Sequence, residues 1–300
     1  MCCAAPGFAE PLPDRLRAHV ERLASEIGER NVWRPAALHA AATYIRGEWE
    51  RQGHAVTAQR YEAYEVPCEN LEVAFTGSAR RSEVLVVGAH YDSVRGSPGA
   101  NDNASGIAAL LEIGRDLKGA VLCRTVRLIA FVNEEPPFFY WGEMGSGVYA
   151  KTARARGDDI RLMISLEMLG AYSDAPGSQR YPPILGWFYP DRGNFIAFVS
   201  NLASRGALRR TVEAFQGVSG FPSEYLSAPA IIPGVSWSDQ LSFWREGYPA
   251  LMVTDTAFYR YPHYHTAQDT ADRIDYARMA QVVDGLGKAI VLLANDEREL

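Results

Sequence analysis

Four short, largely apolar runs constrain this chain most: Val84–Ala89, Val126–Val132, Ile160–Leu166 and Ala250–Val253. Each has the length of a strand and lacks strict alternation, the pattern of a strand buried on both faces. Between and after them run stripes at helical spacing. Ile107, Leu110, Leu111 and Leu117 mark a helix over 104–117, and Tyr276, Met279, Val283, Leu286, Ile290 and Leu293 mark one over 275–294. Helical character is also expected over 14–53, 147–155 and most of 194–216, and strand character over 55–63 and 71–76. Strands alternating with helices predict an α/β fold: a mixed, mostly parallel central sheet with helices on both faces. No repeat or low-complexity linker divides the chain, so one domain is expected over 14–300, with 1–13 as a flexible N-terminal segment. Two stretches rich in Pro, Gly and aromatics, 173–193 and 217–238, read as long functional loops.

Composition excludes several classes. With 30 basic against 36 acidic residues the net charge is -6, which disfavours a nucleic-acid binder. No apolar run approaches the ~20 residues of a membrane span. The cysteines, Cys2, Cys3, Cys68 and Cys123, lack metal-type spacing and imply no disulfide framework. The N-terminus has neither the basic start nor the ~7–15 apolar residues of a secretory leader, so a cytoplasmic location is expected, or a secreted one if a leader was removed.

In open parallel sheets, ligands bind beyond the carboxyl ends of the strands. His90 and Asp92 follow the first apolar run, Asp102 precedes the helix after it, Glu134 and Glu135 follow the second, Glu167 follows the third, and His263 and His265 lie beyond the fourth. Alone, Asp102 would be read as a helix cap, Glu134-Glu135 as a solvated loop and His90 as a packing residue. Their recurrence after every central strand argues otherwise. Carboxylates packed together raise their own pKa values unless a cation joins them. Mixed imidazole and carboxylate ligands suit zinc or a similar metal, and there are enough of them for two ions. Asp92, two residues from His90, points the same way on an extended backbone and could hold the imidazole tautomer.

These segments carry a resemblance. Gly88-Ala-His-Tyr-Asp-Ser93, Gly99-Ala-Asn-Asp-Asn-Ala-Ser-Gly106, Phe131-Val-Asn-Glu-Glu135 with Met144-Gly-Ser146, Ile164-Ser-Leu-Glu-Met-Leu-Gly170, Ser238-Asp239 and Tyr264-His-Thr-Ala-Gln-Asp-Thr270 occur in order between about 82 and 294. Together they resemble the zinc exopeptidases that include bacterial leucyl-type aminopeptidases, glutamate carboxypeptidases and glutaminyl cyclases (the M-twenty-eight peptidases). The resemblance implies two Zn2+ ions. His90 and Glu167 would hold one, Glu135 and His265 the other, and Asp102 would bridge them. It also implies Glu134 as general base, Asp92 as the residue orienting His90, a cis peptide after Asp102, and peptide hydrolysis by a metal-bound water. His265 fits the family's His-Thr pattern better than His263. Gln240 stands where relatives often have His, Glu167 where they often have Asp. Tyr225, Tyr259 and Tyr172 are candidates for stabilising the oxyanion. Ser105 lacks a nucleophile elbow and reads as a cap.

The reading is therefore a zinc aminopeptidase acting on peptides. Its alternatives are a mono-zinc glutaminyl cyclase, a carboxypeptidase using Arg180, Arg192 or Arg260 for the substrate carboxylate, and a non-catalytic binding module. The aromatic loops are expected to flank the metals, with Trp187 and Tyr225 walling a pocket for a bulky apolar first residue.

Overall fold

In the computed structural model, residues 10–140, 143–298 and 300 are described. Of the segment expected to be flexible, residues 1–9 lie outside the described residues, and Leu12 already opens the first helix, α1 (Leu12–Val20). This helix continues as a wider-turned stretch, Glu21–Ile27, before α2 (Pro35–Arg51). A hairpin of β1 (Thr57–Ala63) and β2 (Val66–Phe75) follows, then β3 (Arg80–His90) and α3 (Ser105–Leu117). Next come β4 (Arg124–Phe131), α4 (Gly145–Arg156) and β5 (Asp159–Glu167). The last third holds β6 (Ile196–Ser200), α5 (Arg205–Val218), β7 (Ser223–Ser227), α6 (Gln240–Arg245), β8 (Ala250–Thr254) and α7 (Tyr276–Asn295).

The eight strands form one sheet in the order β1-β2-β4-β3-β5-β8-β6-β7. Its centre, β4-β3-β5-β8, is parallel; β2 joins antiparallel to β4, and β6 antiparallel to β8. The central strands are apolar without a break because both faces are covered. Along β3, Leu85, Val87 and Ala89 belong to the larger core under α1, α2, α3, α5 and α7, while Val84 and Val86 belong to a smaller one with Tyr149 and Ala150 of α4 and Phe243 of α6. Gly88 is glycine for lack of room: a Cβ there would run into the Phe131 ring.

One expected element changes type. Residues 194–216 read as mostly helical, yet Ile196–Ser200 is a strand and the helix begins at Arg205. A five-residue apolar run is ambiguous by periodicity, and here the gap beside β8 decides it. Ile196 and Phe198 face the α5 side of the core, whereas Ala197 and Val199 face a cavity. Within the second aromatic stretch, Ser223–Ser227 is the edge strand β7, a segment without any apolar run.

Candidate metal centre and active site

The central strands deliver their last residues to one edge. His90 ends β3 and Glu167 ends β5; Glu134 and Glu135 follow β4, Asp102 lies in the loop before α3, and His265 lies in the loop after β8. The backbone turns sharply at these points. Asn133, before Glu134, has φ 60; Met168, after Glu167, has φ 51; His265 itself has φ 58. A left-handed non-glycine residue costs of order 1–3 kcal/mol, and such residues cluster at functional sites. The Asp102–Asn103 peptide is cis. Gly106 lets α3 approach β5, since a Cβ there would lie 2.7 Å from the Leu166 carbonyl.

Two groups of ligand atoms result, each within 4.8 Å: His90 with Asp102 and Glu167, and Asp102 with Glu135 and His265. His90 Nε2 lies 3.4 Å from Asp102 Oδ1, 3.3 Å from Glu167 Oε2 and 3.9 Å from Glu134 Oε2. His265 Nε2 lies 3.2 Å from Asp102 Oδ2 and 3.1 Å from Glu135 Oε2. The two oxygens of Asp102 thus face different histidines. Both ring nitrogens of His90 are buried without a hydrogen bond. An imidazole orphaned among carboxylates fits a cation between them, and a mixed nitrogen–oxygen donor set fits zinc.

A second layer holds these groups in place. Asp92 accepts from the Glu134 and Glu135 amides, both at 3.1 Å, so it fixes the turn carrying both glutamates. Its Oδ1 is 3.5 Å from His90 Nδ1. Ser238 donates to Glu167 at 2.7 Å. Asp269 accepts from the Asn101 and Asp102 amides and from the Tyr261 hydroxyl. Arg30, fully buried, donates to the carbonyls of Leu23, Gly28, Tyr91, Pro98 and Gly99, pinning the loop that leads to Asp102. Gln240 donates to the Val235 carbonyl and so serves the backbone. Ser105, expected as a cap, instead donates to Asn101 O and accepts from the Leu169 amide.

Negative charge exceeds positive. Burial, then the charge of Asp102, pushes Glu135 up to about 7, and burial raises Asp239 likewise to about 7. Burial also raises Glu167, and lifts Glu134 well above the usual carboxylate range. Burial opposes protonation of both histidines, yet Glu167, Asp102 and Asp92 raise His90 well above its ordinary value, and Asp102 and Glu135 raise His265 to about 10. Asp102 is lowered despite its burial by the adjacent imidazoles of His265 and His90. Among the described residues, both oxygens of the fully buried Asp239 lack a partner.

A mostly aromatic and aliphatic pocket opens beside Glu167. Both aromatic stretches contribute, with Tyr181, Leu185 and Tyr189 from the first and Glu224, Tyr225 and Trp237 from the second. Trp187, expected in its wall, is instead 83% exposed in a short turn and does not line it. Tyr225 does line it, and its carbonyl accepts the Tyr189 hydroxyl at 2.9 Å. The oxyanion candidates separate: Tyr172 donates to Leu169 O, Tyr259 donates to Pro233 O, and Tyr225 sits half-exposed on the edge strand. Tyr264 was missed because it adjoins the more conspicuous histidines. It lines the pocket, stacks on His265 at 3.8 Å between centroids, and is raised by burial and by Asp102, Glu135, Glu167 and Glu134. His263 packs edge-on against Tyr261 and is in neither ligand group.

The sequence profile of Peptidase family M28 matches residues 70–290. The Escherichia coli K12 protein named "Uncharacterized protein YfbL" is 41% identical over 294 residues, covering 95% of this chain and 88% of that protein. A "Probable leucine aminopeptidase 1" of Trichophyton verrucosum is 26% identical, covering 89% of this chain and 74% of that protein. Among solved structures, BSAP, a zinc aminopeptidase from Bacillus subtilis, superposes with a TM-score of 0.72 at 17% identity, covering 94% of this chain and 95% of that one, a likeness of fold.

Proposed function

The chain belongs to peptidase family M28, and from that membership we propose that it removes residues from the amino terminus of peptides, using two Zn2+ ions held by His90, Asp102, Glu135, Glu167 and His265. The observation that carries the reading is the pair of ligand groups sharing Asp102, with Glu134 beside them. When bound, the ions supply Lewis-acid polarisation of the scissile carbonyl and lower the pKa of water from about 15.7 towards about 7. Glu134 takes a proton from the attacking water at its carboxylate and returns it to the leaving amine, a role that contributes about 10²–10⁴-fold. Asp92 holds Glu134 through the backbone amide. Tyr264 supplies a hydroxyl at the acid-lined end of the pocket, where it can donate to the oxyanion.

The amino end is favoured by charge. A free α-amino group is a cation, and the site has carboxylates in excess. A substrate carboxylate would need an arginine or lysine, and among the described residues neither lines the pocket. The three arginines of the candidate loops are engaged elsewhere: Arg180 with Phe258 O, Arg192 with Asp174 O, and Arg260 with Ala171 O, Phe195 O and Gln179. The Trichophyton verrucosum relative named "Probable leucine aminopeptidase 1" supports the same activity.

The test uses peptides blocked at one end or the other, an N-terminal glutamine peptide, and metal analysis of the purified protein. Release from free amino ends with two zincs per chain is expected. Release from the carboxyl end, or pyroglutamate formation with one zinc, would replace the proposal by a carboxypeptidase or a glutaminyl cyclase.

A further inference from the structure

One register row crosses four strands at the site. Glu167 of β5 pairs with Thr254 of β8, Thr254 with Ala197 of β6, and Ala197 with Glu224 of β7. Paired residues share a face of the sheet, and all four line the pocket. Three interstrand spacings of about 4.8 Å put the backbones of Glu167 and Glu224 about 14 Å apart. The pocket therefore has a carboxylate at each end of a floor made of two small residues, and among the described residues no Lys, Arg or His lines it.

Glu224 is half-buried, and burial pushes its carboxyl up. Among the described residues no donor or cation pairs with it. Tyr181 and Tyr189, stacked with centroids 5.7 Å apart, both sense its charge. Their hydroxyls donate to backbone carbonyls, of Pro190 and Tyr225, and so do not serve it. A carboxylate left without a partner among aromatic rings is unfavourable until a cation arrives, and aromatic faces themselves attract cations.

The floor also sets a length. A peptide held with its first carbonyl near Glu167 must send its first side chain along Thr254 and Ala197 to reach Glu224. Lysine and arginine combine an apolar stem with a cationic head, spanning about 6–7 Å from Cα. The scissile group and the peptide backbone that carries the side chain take up part of the rest.

We infer that the pocket selects peptides beginning with lysine or arginine, the stem lying over Thr254 and Ala197 and the cation meeting Glu224. This rests on the aminopeptidase reading above and narrows its substrate class, replacing the bulky apolar first residue expected from the loops.

The test compares Lys-, Arg-, norleucyl- and Leu-p-nitroanilides with the zinc-supplemented full chain. Norleucine keeps the stem and lacks the amine. The Lys/norleucyl ratio of kcat/KM is expected to be about tenfold or more, and to fall about 10–100-fold in Glu224→Gln, the worth of a hydrogen bond to a charged group. A ratio near one in the wild type, or one that Glu224→Gln leaves unmoved, overturns the inference. So does release of intact dipeptides from longer peptides, which would assign Glu224 to the α-amino group. If no p-nitroanilide is hydrolysed, the aminopeptidase reading fails by itself. Calorimetric titration of lysinamide and norleucinamide then still decides the pocket: tighter lysinamide binding that Glu224→Gln abolishes upholds the inference, and equal binding overturns it.

Discussion

Asp102 sits just ahead of α3 and Glu112 within it, both fully or almost fully buried, and their surroundings could hardly differ more. Glu112 accepts from Arg15 at 2.7 Å, from His19 at 3.1 Å and from Arg115 at 3.3 Å, and His19 in turn meets the Tyr44 hydroxyl at 2.6 Å. Every charge there has a protein partner. Burial alone would raise Glu112, but the hydrogen bonds from His19 and Arg15 hold it down at about 2. Around Asp102, the carboxylates of Glu134, Glu135, Glu167 and Asp239 face two histidines; among the described residues the three glutamates have no cationic neighbour other than a shared imidazole, and Asp239 has none. A closed cluster ties α1, α2 and α3 together. An open one, short of positive charge, is built to receive it from outside. Burial is common to both; neutralisation within the chain separates a structural cluster from a candidate site.

The contrast can be broken in several ways. The largest effect is expected from Glu134→Gln: kcat falls about 10²–10⁴-fold while zinc content and melting temperature stay near wild type. Steady-state kinetics with metal analysis checks this, and loss of zinc instead would exchange the roles of Glu134 and Glu135. At the closed cluster, Glu112→Ala strands buried cations and is expected to cost about 3–5 kcal/mol in urea unfolding, with kcat/KM unchanged. A drop in activity with intact stability would make this cluster functional too.

Zinc should discriminate the clusters directly. At about 100 times its Kd it stabilises the native state by about 2.7 kcal/mol, read as a rise in melting temperature. The rise should shrink in His265→Ala, which leaves only the His90-Asp102-Glu167 group, and persist in full in Glu112→Gln. The smallest effect concerns acid. Glu112 is depressed in the folded state, so its contribution is complete above the unfolded value of about 4.3 and is lost as pH falls towards about 2. Melting curves from pH 5 to 2 should therefore decline less steeply in Glu112→Gln; equal slopes would show that its pairs give no net stability.

Much of this was legible along the chain. The four apolar runs became β3, β4, β5 and β8, and the ligand-type residues following them converge on one edge. What escaped lies across the chain. The strand Ile196–Ser200 was hidden inside a helical reading, because five residues cannot display a period. Ser223–Ser227 had no hydrophobic signature, since an edge strand need not be buried on both faces. Trp187 was placed by its residue type in a pocket whose wall is supplied by Tyr181 and Tyr189. Arg30, in the part of the chain with least resemblance to known segments, turned out to pin the loop before Asp102.

The sequence by itself determined that the protein is an α/β sheet with acids and histidines at the strand ends, because burial on both faces and the position of a residue after a strand are local properties of the chain. Only the tertiary structure decided which carboxylates share a histidine, that Asp92 clamps the Glu134-Glu135 turn, and that Glu224 lies in one row with Glu167. Those facts depend on strand order and register. β6 enters between β8 and β7, antiparallel to the first and parallel to the second, and that insertion sets the length and the far end of the pocket. Register is chosen by packing between segments far apart in the chain, so no local pattern carries it.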